Sequence, residues 1–306
     1  MKFANYLRPM LAKIREKPFD DADWIFEIKY DGYRAIAEVN KGKVKLYSRN
    51  GLDFSADYPA VYAELKKLKF RAVFDGEIVA LDSKHRPNFQ LFQLASKDLS
   101  IPVVYYVFDL LFLDGKNLQS LTLLERKEKL EKILPSGDQL RYSQHIVKDG
   151  KRFFNMIRKK DMEGIMAKDS HSLYHPGKRI GEWLKIKNHN EQEAIIAGFT
   201  EPRGSRKYFG SIILAVHDRQ KLIYAGHAGT GFNDSILREL YQKMSKLVTK
   251  KNPFGEKIPE NAPVTWIKPS LVCNIKFTEW TRSGQMRHPV FLGLRKDKKA
   301  SEVIKE

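Results

Sequence analysis

Apolar and polar residues alternate in several short stretches of the chain, which is the pattern of half-buried β-strands. The alternation is clear at residues 35–39 and 44–48, which a predicted hairpin turn at 40–43 joins. Residues 72–80 and 102–112 are more continuously apolar, and the second is the strongest predicted strand. Three helices are predicted from the three- to four-residue spacing of apolar positions, at 58–68, 124–133 and 153–159.

The pattern changes at the polar stretch 188–191, which predicts a linker. Strands are predicted beyond it at 194–199, 211–217, 222–226, 264–268 and 272–280, with a helix at 234–247 capped by Asn233. Five strands with one helix in so short a segment indicate a small barrel such as an OB-fold. We therefore expect an α+β fold, with antiparallel sheets and helices in residues 1–187 and a small β-barrel in residues 188–306.

Composition supports a folded protein without a membrane segment. The chain has 306 residues, of which 42% are hydrophobic and 30% charged, and it is long enough for two cores. No apolar run reaches the roughly 20 residues that cross a bilayer, and the N-terminus lacks the apolar core of a secretory signal. The single cysteine, Cys273, excludes an internal disulfide framework and a multi-cysteine zinc site, which fits a reducing cytoplasm.

The charge balance indicates a polyanionic partner. Lysine and arginine number 55 against 37 acidic residues, giving a formal net charge of +18. Nucleic acid is the commonest partner of such a surface, and an anionic membrane is the alternative. Because the sequence offers no basic amphipathic helix with a broad apolar face, nucleic acid is favoured.

Lys29 is a candidate nucleophile. It follows a predicted strand and lies among Phe26, Ile28 and Tyr30, while Gly32 permits a turn closed to other residues. Partial desolvation there would lower its pKa and expose the lone pair that a nucleophilic lysine requires. The alternative is an ordinary strand-end lysine whose ammonium extends to water.

Two pairs of charged residues are each two positions apart in a predicted strand, so the members of each pair lie on the same face. Asp75 and Glu77 lie in an apolar strand, so a cation, a metal or a ribose hydroxyl must face them, unless they form a structural ion pair. Lys185 and Lys187 repel each other unless an anion such as a phosphate chain lies between them. The alternative for the lysines is a solvated edge strand.

Taken in order, the motifs along the chain resemble those of a known superfamily. They are Lys29-Tyr30-Asp31-Gly32, Arg49-Asn50-Gly51, Asp75-Gly76-Glu77, the aromatic strand with Phe108, Glu163-Gly164, Lys185-Ile186-Lys187 and residues 292–298. This order is similar to that of the covalent nucleotidyltransferases, and most of all to ATP-dependent DNA ligases of the bacterial ligase D type. The resemblance covers nearly the whole chain.

The resemblance implies an adenylation domain at residues 1–187 and an OB-fold domain at 188–306. It implies an ATP-dependent DNA ligase that seals 5′-phosphate/3′-hydroxyl nicks or breaks through lysyl-AMP and adenylated DNA, in repair or end joining. ATP would donate AMP, with Mg²⁺ or Mn²⁺ as metal. The implied partners are nicked or broken duplex DNA and an end-binding protein such as Ku, for a cytoplasmic, nucleoid-associated monomer without a membrane partner.

The resemblance also assigns the site residues. Lys29 would be adenylated, with Glu27 beside the adenine and Phe108 stacked on its ring. Glu77 would lie at the ribose side and, with Glu163, is a predicted metal ligand. The predicted phosphate-binding residues are Arg34 and Arg49 for nucleotide or nick phosphate, Arg179, Lys185 and Lys187 for the triphosphate, and Arg295, Asp297 and Lys298, brought over the nucleotide by closure of the second domain.

Other functions stay open at this point. An RNA ligase or an mRNA-capping guanylyltransferase shares the Lys-x-Asp-Gly core, although residues 292–298 and the long second domain favour a DNA ligase. A protein that binds DNA ends without catalysis is the alternative outside the enzymes. NAD-dependent ligases are disfavoured by the missing cysteine cluster. The sequence is expected to be either an excised module or a naturally minimal ligase.

Overall fold

The structure is a computed structural model of the chain. It describes residues 7–83, 86–95, 98–135, 137–160, 162–188, 190–219, 221–259 and 262–305. The chain divides into two compact units, Met1–Asn188 and His189–Glu306. Among the described residues, no helix is long and apolar enough to span a membrane.

The first unit is built mainly of strands. Its strands are β1 (Lys13–Ile14), β2 (Asp21–Ile28), β3 (Tyr33–Asn40), β4 (Lys43–Ser48), β5 (Arg71–Ala80), β6 (Val103–Leu113), β7 (Lys116–Asn117), β8 (Leu140–Tyr142), β9 (His145–Lys148), β10 (Gly164–Asp169) and β11 (Trp183–Lys187). Its helices are α1 (Pro59–Lys67), α2 (Phe89–Ala95), α3 (Leu123–Ile133) and α4 (Gly150–Lys159). The three helices predicted from apolar spacing are α1, α3 and α4, whereas α2 was not predicted.

The strands of the first unit form two sheets. One has the order β1-β11-β10-β2-β9, and the other has the order β4-β3-β5-β6-β7, with β8 alongside β6. Neighbouring strands are antiparallel, except that β1 pairs with β11 and β8 pairs with β6 in parallel. The predicted framework of antiparallel sheets is therefore confirmed.

In the sheet β1-β11-β10-β2-β9, one face is apolar and the other carries charged residues, because successive side chains of a strand point to opposite faces. Its apolar face packs Phe26, Ile165 and Ile186 against Phe153 and Ile157 of α4. The opposite face carries the residues one position away along each strand, and there Glu27, Met166 and Lys185 are register neighbours on β2, β10 and β11. Burial of the apolar face thus fixes which charged residues lie together on the other.

The second sheet contains two irregularities in β6 that matter for the site. Asp75 pairs with Asp109 and Gly76 pairs with Val107, so Phe108 has no partner on β5 and forms a bulge. A second bulge lies at Leu111, between the partners of Val73 and Phe74. Because bulges redirect side chains, the first accounts for the half-buried position of the Phe108 ring.

The second unit is one five-stranded sheet with a helix. Its strands are β12 (Asn190–Thr200), β13 (Ile212–Asp218), β14 (Lys221–Ala228), β15 (Val264–Phe277) and β16 (Val290–Arg295), and its helix is α5 (Asp234–Ser245). The order is β14-β13-β12-β15-β16, all antiparallel. Asn233 caps α5 by accepting a 2.8 Å bond from the Ile236 amide, as predicted.

Two expectations for this unit need correction. Residues 264–268 and 272–280 were predicted as separate strands, but β15 is continuous and pairs with β12 on both sides of an irregularity around Pro269. Pro269 has no N–H to donate in a strand ladder, so the sequence favours two strands separated at this residue. In the structure the irregularity lets β15 continue past it. The predicted barrel is also not closed by a ladder in the described residues, where an isolated Thr230–Val290 bridge and a 2.8 Å hydrogen bond from the Met286 amide to the Ala225 carbonyl connect the two edges of the sheet.

Candidate active site

Lys29 and Glu163 form an ion pair at one end of the β2–β10 strand pair. Lys29 follows the last residue of β2 and Glu163 precedes the first residue of β10, so antiparallel pairing brings them together. The Lys29 amide donates to the Gly164 carbonyl at 3.0 Å. The side chains are 19% and 8% exposed, which places the candidate nucleophile in a largely desolvated, acid-lined position.

Glu27 lies two residues before Lys29 and is the centre of a buried charge cluster. Its carboxylate pairs with Lys127 of α3 and, at 2.7 Å, with Lys168 of β10. Burial alone would raise the pKa of Glu27, but the two ammonium groups and their hydrogen bonds outweigh burial and lower it. Burial is the main cause that lowers the pKa of Lys168. Glu27 is therefore an ionised anchor between two lysines.

Phe108 is joined to this cluster through Lys168. The Lys168 nitrogen lies 4.1 Å from the centroid of the Phe108 ring and 4.3 Å from that of Trp183. The Arg34 guanidinium carbon lies 5.3 Å from the Phe108 ring. The structure thus brings together Glu27 and Phe108, the two residues predicted to contact the base.

Arg34 and Asp75 form a buried bidentate ion pair. The Arg34 guanidinium donates to the two Asp75 oxygens at 2.9 and 2.6 Å and to the Met10 carbonyl at 2.6 Å. Tyr174 donates to Asp75 at 2.6 Å. For Asp75 the alternative of a structural ion pair is therefore correct, because Arg34 is the cation that faces it. Glu77 is the register neighbour of Arg34 across β3 and β5, on the same face.

The other predicted phosphate-binding residues of the first unit lie at its strand ends and turns. Arg49 is half-buried in the turn after β4. Arg179 is exposed and donates to the Ala12 carbonyl at 2.6 Å. Lys185 and Lys187 are half-buried on β11, opposite Met166 and Gly164. A shared face for these two lysines fits the regular pairing of β11.

The remaining predicted residues form a network within the second unit. Arg295 donates to both oxygens of Asp297 at 2.8 Å, and Asp297 is 3% exposed. Lys298 pairs with Glu193 of β12. The structure therefore pairs Arg295 with Asp297, and pairs Lys298 with Glu193, which was not predicted.

Sequence reasoning missed three residues of the first unit that contact or adjoin the site. Lys127 and Lys168 are both about 1% exposed, and the only sequence signal was a lysine inside the apolar run 165–168. Lys127 sits in an amphipathic helix, where nothing in its local sequence distinguishes it from a solvated lysine. Asp31, third in the Lys-x-Asp-Gly motif, has a carboxylate oxygen within 4.8 Å of one of Glu163.

The chemistry of the acids fits a divalent cation. The Oε2 atom of Glu163 is buried and has no hydrogen-bond partner among the described residues, while the nearby carboxylate of Asp31 offers a second oxygen. Mg²⁺ prefers oxygen ligands and is bound by one or two carboxylates together with substrate phosphates. A buried carboxylate oxygen without a donor is the feature such an ion would satisfy.

Two family models match the sequence and show which protein family it belongs to. The model described as ATP dependent DNA ligase domain matches residues 9–187, and that described as ATP dependent DNA ligase C terminal region matches residues 205–298. The chain belongs to the ATP-dependent DNA ligase family. The ligase resemblance is thereby confirmed, as is the α+β fold of a sheet-rich adenylation domain followed by an OB-fold domain, although the OB sheet is not a closed barrel.

Similar proteins carry the same assignment. The chain is 34% identical, over 99% of its length, to the multifunctional non-homologous end joining protein LigD of Pseudomonas aeruginosa, and spans 37% of that protein. It is 36% identical, over 93% of its length, to the LigD DNA repair protein of Mycobacterium tuberculosis, and spans 38% of it. A solved mycobacterial DNA ligase D complexed with ATP and MES is 35% identical, with a TM-score of 0.76 and complete coverage of both chains.

Proposed function

We propose that this chain seals 5′-phosphate/3′-hydroxyl nicks or breaks in duplex DNA, using ATP and a lysyl-AMP intermediate. The observation that carries the proposal is the ion pair of Lys29 with Glu163. It lies at the end of the β2–β10 strand pair, in which β2 also carries Glu27. A largely buried lysine beside a carboxylate is the arrangement expected of an activated amine nucleophile. Family membership supports ATP as the nucleotide.

The proposed reaction has three steps. The Lys29 ammonium first passes a proton to Glu163, its neutral nitrogen forms a bond to the α-phosphorus of ATP as the bond to pyrophosphate breaks, and the phosphoramidate nitrogen loses a second proton to solvent. An oxygen of the 5′-phosphate at the break then forms a bond to the AMP phosphorus as the bond to the Lys29 nitrogen breaks, and a proton from solvent restores the amine. Finally the 3′-hydroxyl attacks that 5′-phosphate with loss of its proton, and AMP leaves. In-line placement of the amine and neutralisation of the phosphate charge are the main demands on the protein.

The nucleotide contacts follow from the charge cluster. Glu27 and Phe108 are proposed to hold the adenine, since Lys168 links them, and Glu77 the ribose side. The proposed phosphate-binding residues are Arg34, Arg49, Arg179, Lys185, Lys187, Arg295, Asp297 and Lys298. Those of the second unit require closure over the nucleotide, which stays a prediction. Residues 1–187 and 188–306 are the proposed adenylation and OB-fold domains.

Glu163 and Glu77 are the proposed metal-binding residues, with Asp31 near the first. The buried and unpartnered Oε2 atom of Glu163 supports this assignment. When bound there, Mg²⁺ or Mn²⁺ would neutralise phosphate charge, as metals do in phosphoryl transfer.

The proposed partner is nicked or broken duplex DNA, which the net charge of +18 supports. Two similar proteins are named for non-homologous end joining, which supports a place in end joining or repair. An end-binding partner such as Ku, a monomeric state and a cytoplasmic, nucleoid-associated location remain predictions.

A nicked-duplex assay tests the function. Duplexes carry DNA or RNA on each side of a single nick with a 5′-phosphate, and each is incubated with Mg²⁺ and either ATP or GTP. We expect sealing of the DNA nick with ATP and little with GTP. Sealing confined to RNA would support an RNA ligase, and nucleotide uptake from GTP alone would support a guanylyltransferase. Tight binding of nicked DNA without sealing would support the non-catalytic end binder.

A further inference from the structure

The candidate nucleophile lies in a short connection between the two sheets of the first unit. Residues 29–32 join β2 of one sheet to β3 of the other. The position of the Lys29 amine therefore depends on how this connection is held at both ends. Tyr30 and Gly32 of this connection provide the attachment to the second sheet.

Each end of the connection is fixed by the backbone. At the first end, the Lys29 amide donates to the Gly164 carbonyl of β10 at 3.0 Å. At the other end, Gly32 packs so closely against β5 that an added Cβ atom would lie 2.1 Å from the Ile78 carbonyl oxygen. Between these points the Tyr30 side chain provides a further attachment.

Tyr30 supplies that side-chain contact. Its ring stacks on Tyr106 of β6 with 4.1 Å between centroids and 15° between planes. Both rings pack against the buried cluster of Val79, Leu81 and Val104. The Tyr106 hydroxyl accepts a long, 3.5 Å bond from Arg141, which helps to hold the stack. Burial, followed by the neighbouring Tyr106, raises the pKa of Tyr30, against the polar contact with the Ser143 side chain, so the hydroxyl stays protonated. Tyr30→Phe therefore separates the packing of the ring from this polar contact.

We propose that Tyr30 is a positioning residue for AMP transfer to Lys29, an inference that rests on the proposed function. The stack on Tyr106 ties the residue next to the nucleophile to the sheet that carries Glu77 and Phe108. Stacked aromatic pairs contribute beyond their buried area, and here that contribution orients the amine rather than binding the nucleotide. Misplacement of a reacting group by about 1 Å costs roughly 100-fold in rate.

The variants Tyr30→Phe, Tyr30→Leu and Tyr30→Ala test this inference. Phenylalanine keeps the stack, leucine keeps apolar volume without it, and alanine removes both. AMP transfer is measured in a single turnover over a range of ATP concentrations. Joining of a pre-adenylated nick is measured in parallel, because that step forms no bond to Lys29. Tyr58→Leu, which removes the 5.4 Å stack of Tyr58 on Phe92, is the matched control.

The expected pattern separates positioning from folding. Tyr30→Phe should match the wild type, while Tyr30→Leu and Tyr30→Ala should transfer AMP about 100-fold more slowly at saturating ATP. The half-saturating ATP concentration and the joining of the pre-adenylated nick should not change. Tyr58→Leu should not slow AMP transfer selectively.

Two results would overturn the inference alone. One is a Tyr30→Leu variant as fast as Tyr30→Phe, and the other is an equal loss of AMP transfer and of pre-adenylated nick joining. A wild-type protein that acquires no AMP would instead overturn the proposed function, and the inference with it.

Discussion

The Lys29 ammonium pairs with the Glu163 carboxylate across 134 positions of sequence. The pairing follows from antiparallel β2 and β10, because the end of one strand lies beside the start of the other. A carboxylate beside a lysine stabilises the ammonium form at rest and can receive its proton when the amine attacks, so the nucleophile and its proton acceptor are set by the same strand register.

Phe108→Ala should raise the ATP concentration required for AMP transfer. Base–aromatic stacking is worth about 1–3 kcal/mol per base, which corresponds to about 5- to 150-fold in affinity. Phe112→Ala is the control, because it removes another half-buried ring from β6, opposite Val73 and Asn117. Single-turnover rates over a range of ATP concentrations give the answer. An unchanged ATP requirement in a folded Phe108→Ala protein would show that Phe108 does not stack on the base and serves only in packing.

Glu27→Gln should destabilise the protein more than Lys127→Met. The first change leaves two buried ammonium groups, Lys127 and Lys168, without their carboxylate, and breaking a buried pair in this way costs about 3–5 kcal/mol. The second change leaves Glu27 and Lys168 as a neutral pair. The free energy of unfolding of each variant is measured with denaturant at pH 7.

The double variant Glu27→Gln/Lys127→Met tests whether Glu27 and Lys127 interact energetically. It should be more stable than Glu27→Gln alone, because one of the two uncompensated charges has been removed. Strictly additive losses would show that Glu27 and Lys127 do not interact energetically, against the ion pair in the structure.

Glu38→Gln should gain stability relative to the wild type as the pH rises from 4 to 7. Glu38 is 4% exposed, and burial is the main cause that raises its pKa, against the hydrogen bond from Tyr47 and the charge of Lys45. An acid whose pKa is higher in the folded state ionises first in the unfolded state, so its ionisation favours unfolding. Thermal unfolding of both proteins across this range tests the sign. A constant difference between them would show that Glu38 titrates normally.

The framework of the first unit was predictable because burial imposes its pattern locally. Strand β3 and helix α3 each carry a period that can be counted in the sequence, and Lys29 was found because its motif is continuous. The bulge at Phe108 was not predictable, since it depends on the register with β5.

The partners of Glu27 were also beyond sequence reasoning. Lys127 is 100 residues away on a helix whose other lysines are mostly exposed, so local pattern could not distinguish it. Only the packing of α3 against β6 and β2 gives this lysine a buried position beside a carboxylate. Asp75 shows the converse: sequence required a cation, but not that Arg34 would provide it.

The intact mass of the protein after incubation with ATP and Mg²⁺ tests the central claim most directly. The account predicts a gain of one covalently bound AMP on the wild type and none on Lys29→Ala, with Lys13→Ala as an exposed-lysine control that still gains it. A wild-type protein that gains no mass, or a Lys29→Ala protein that still gains one AMP, would contradict it.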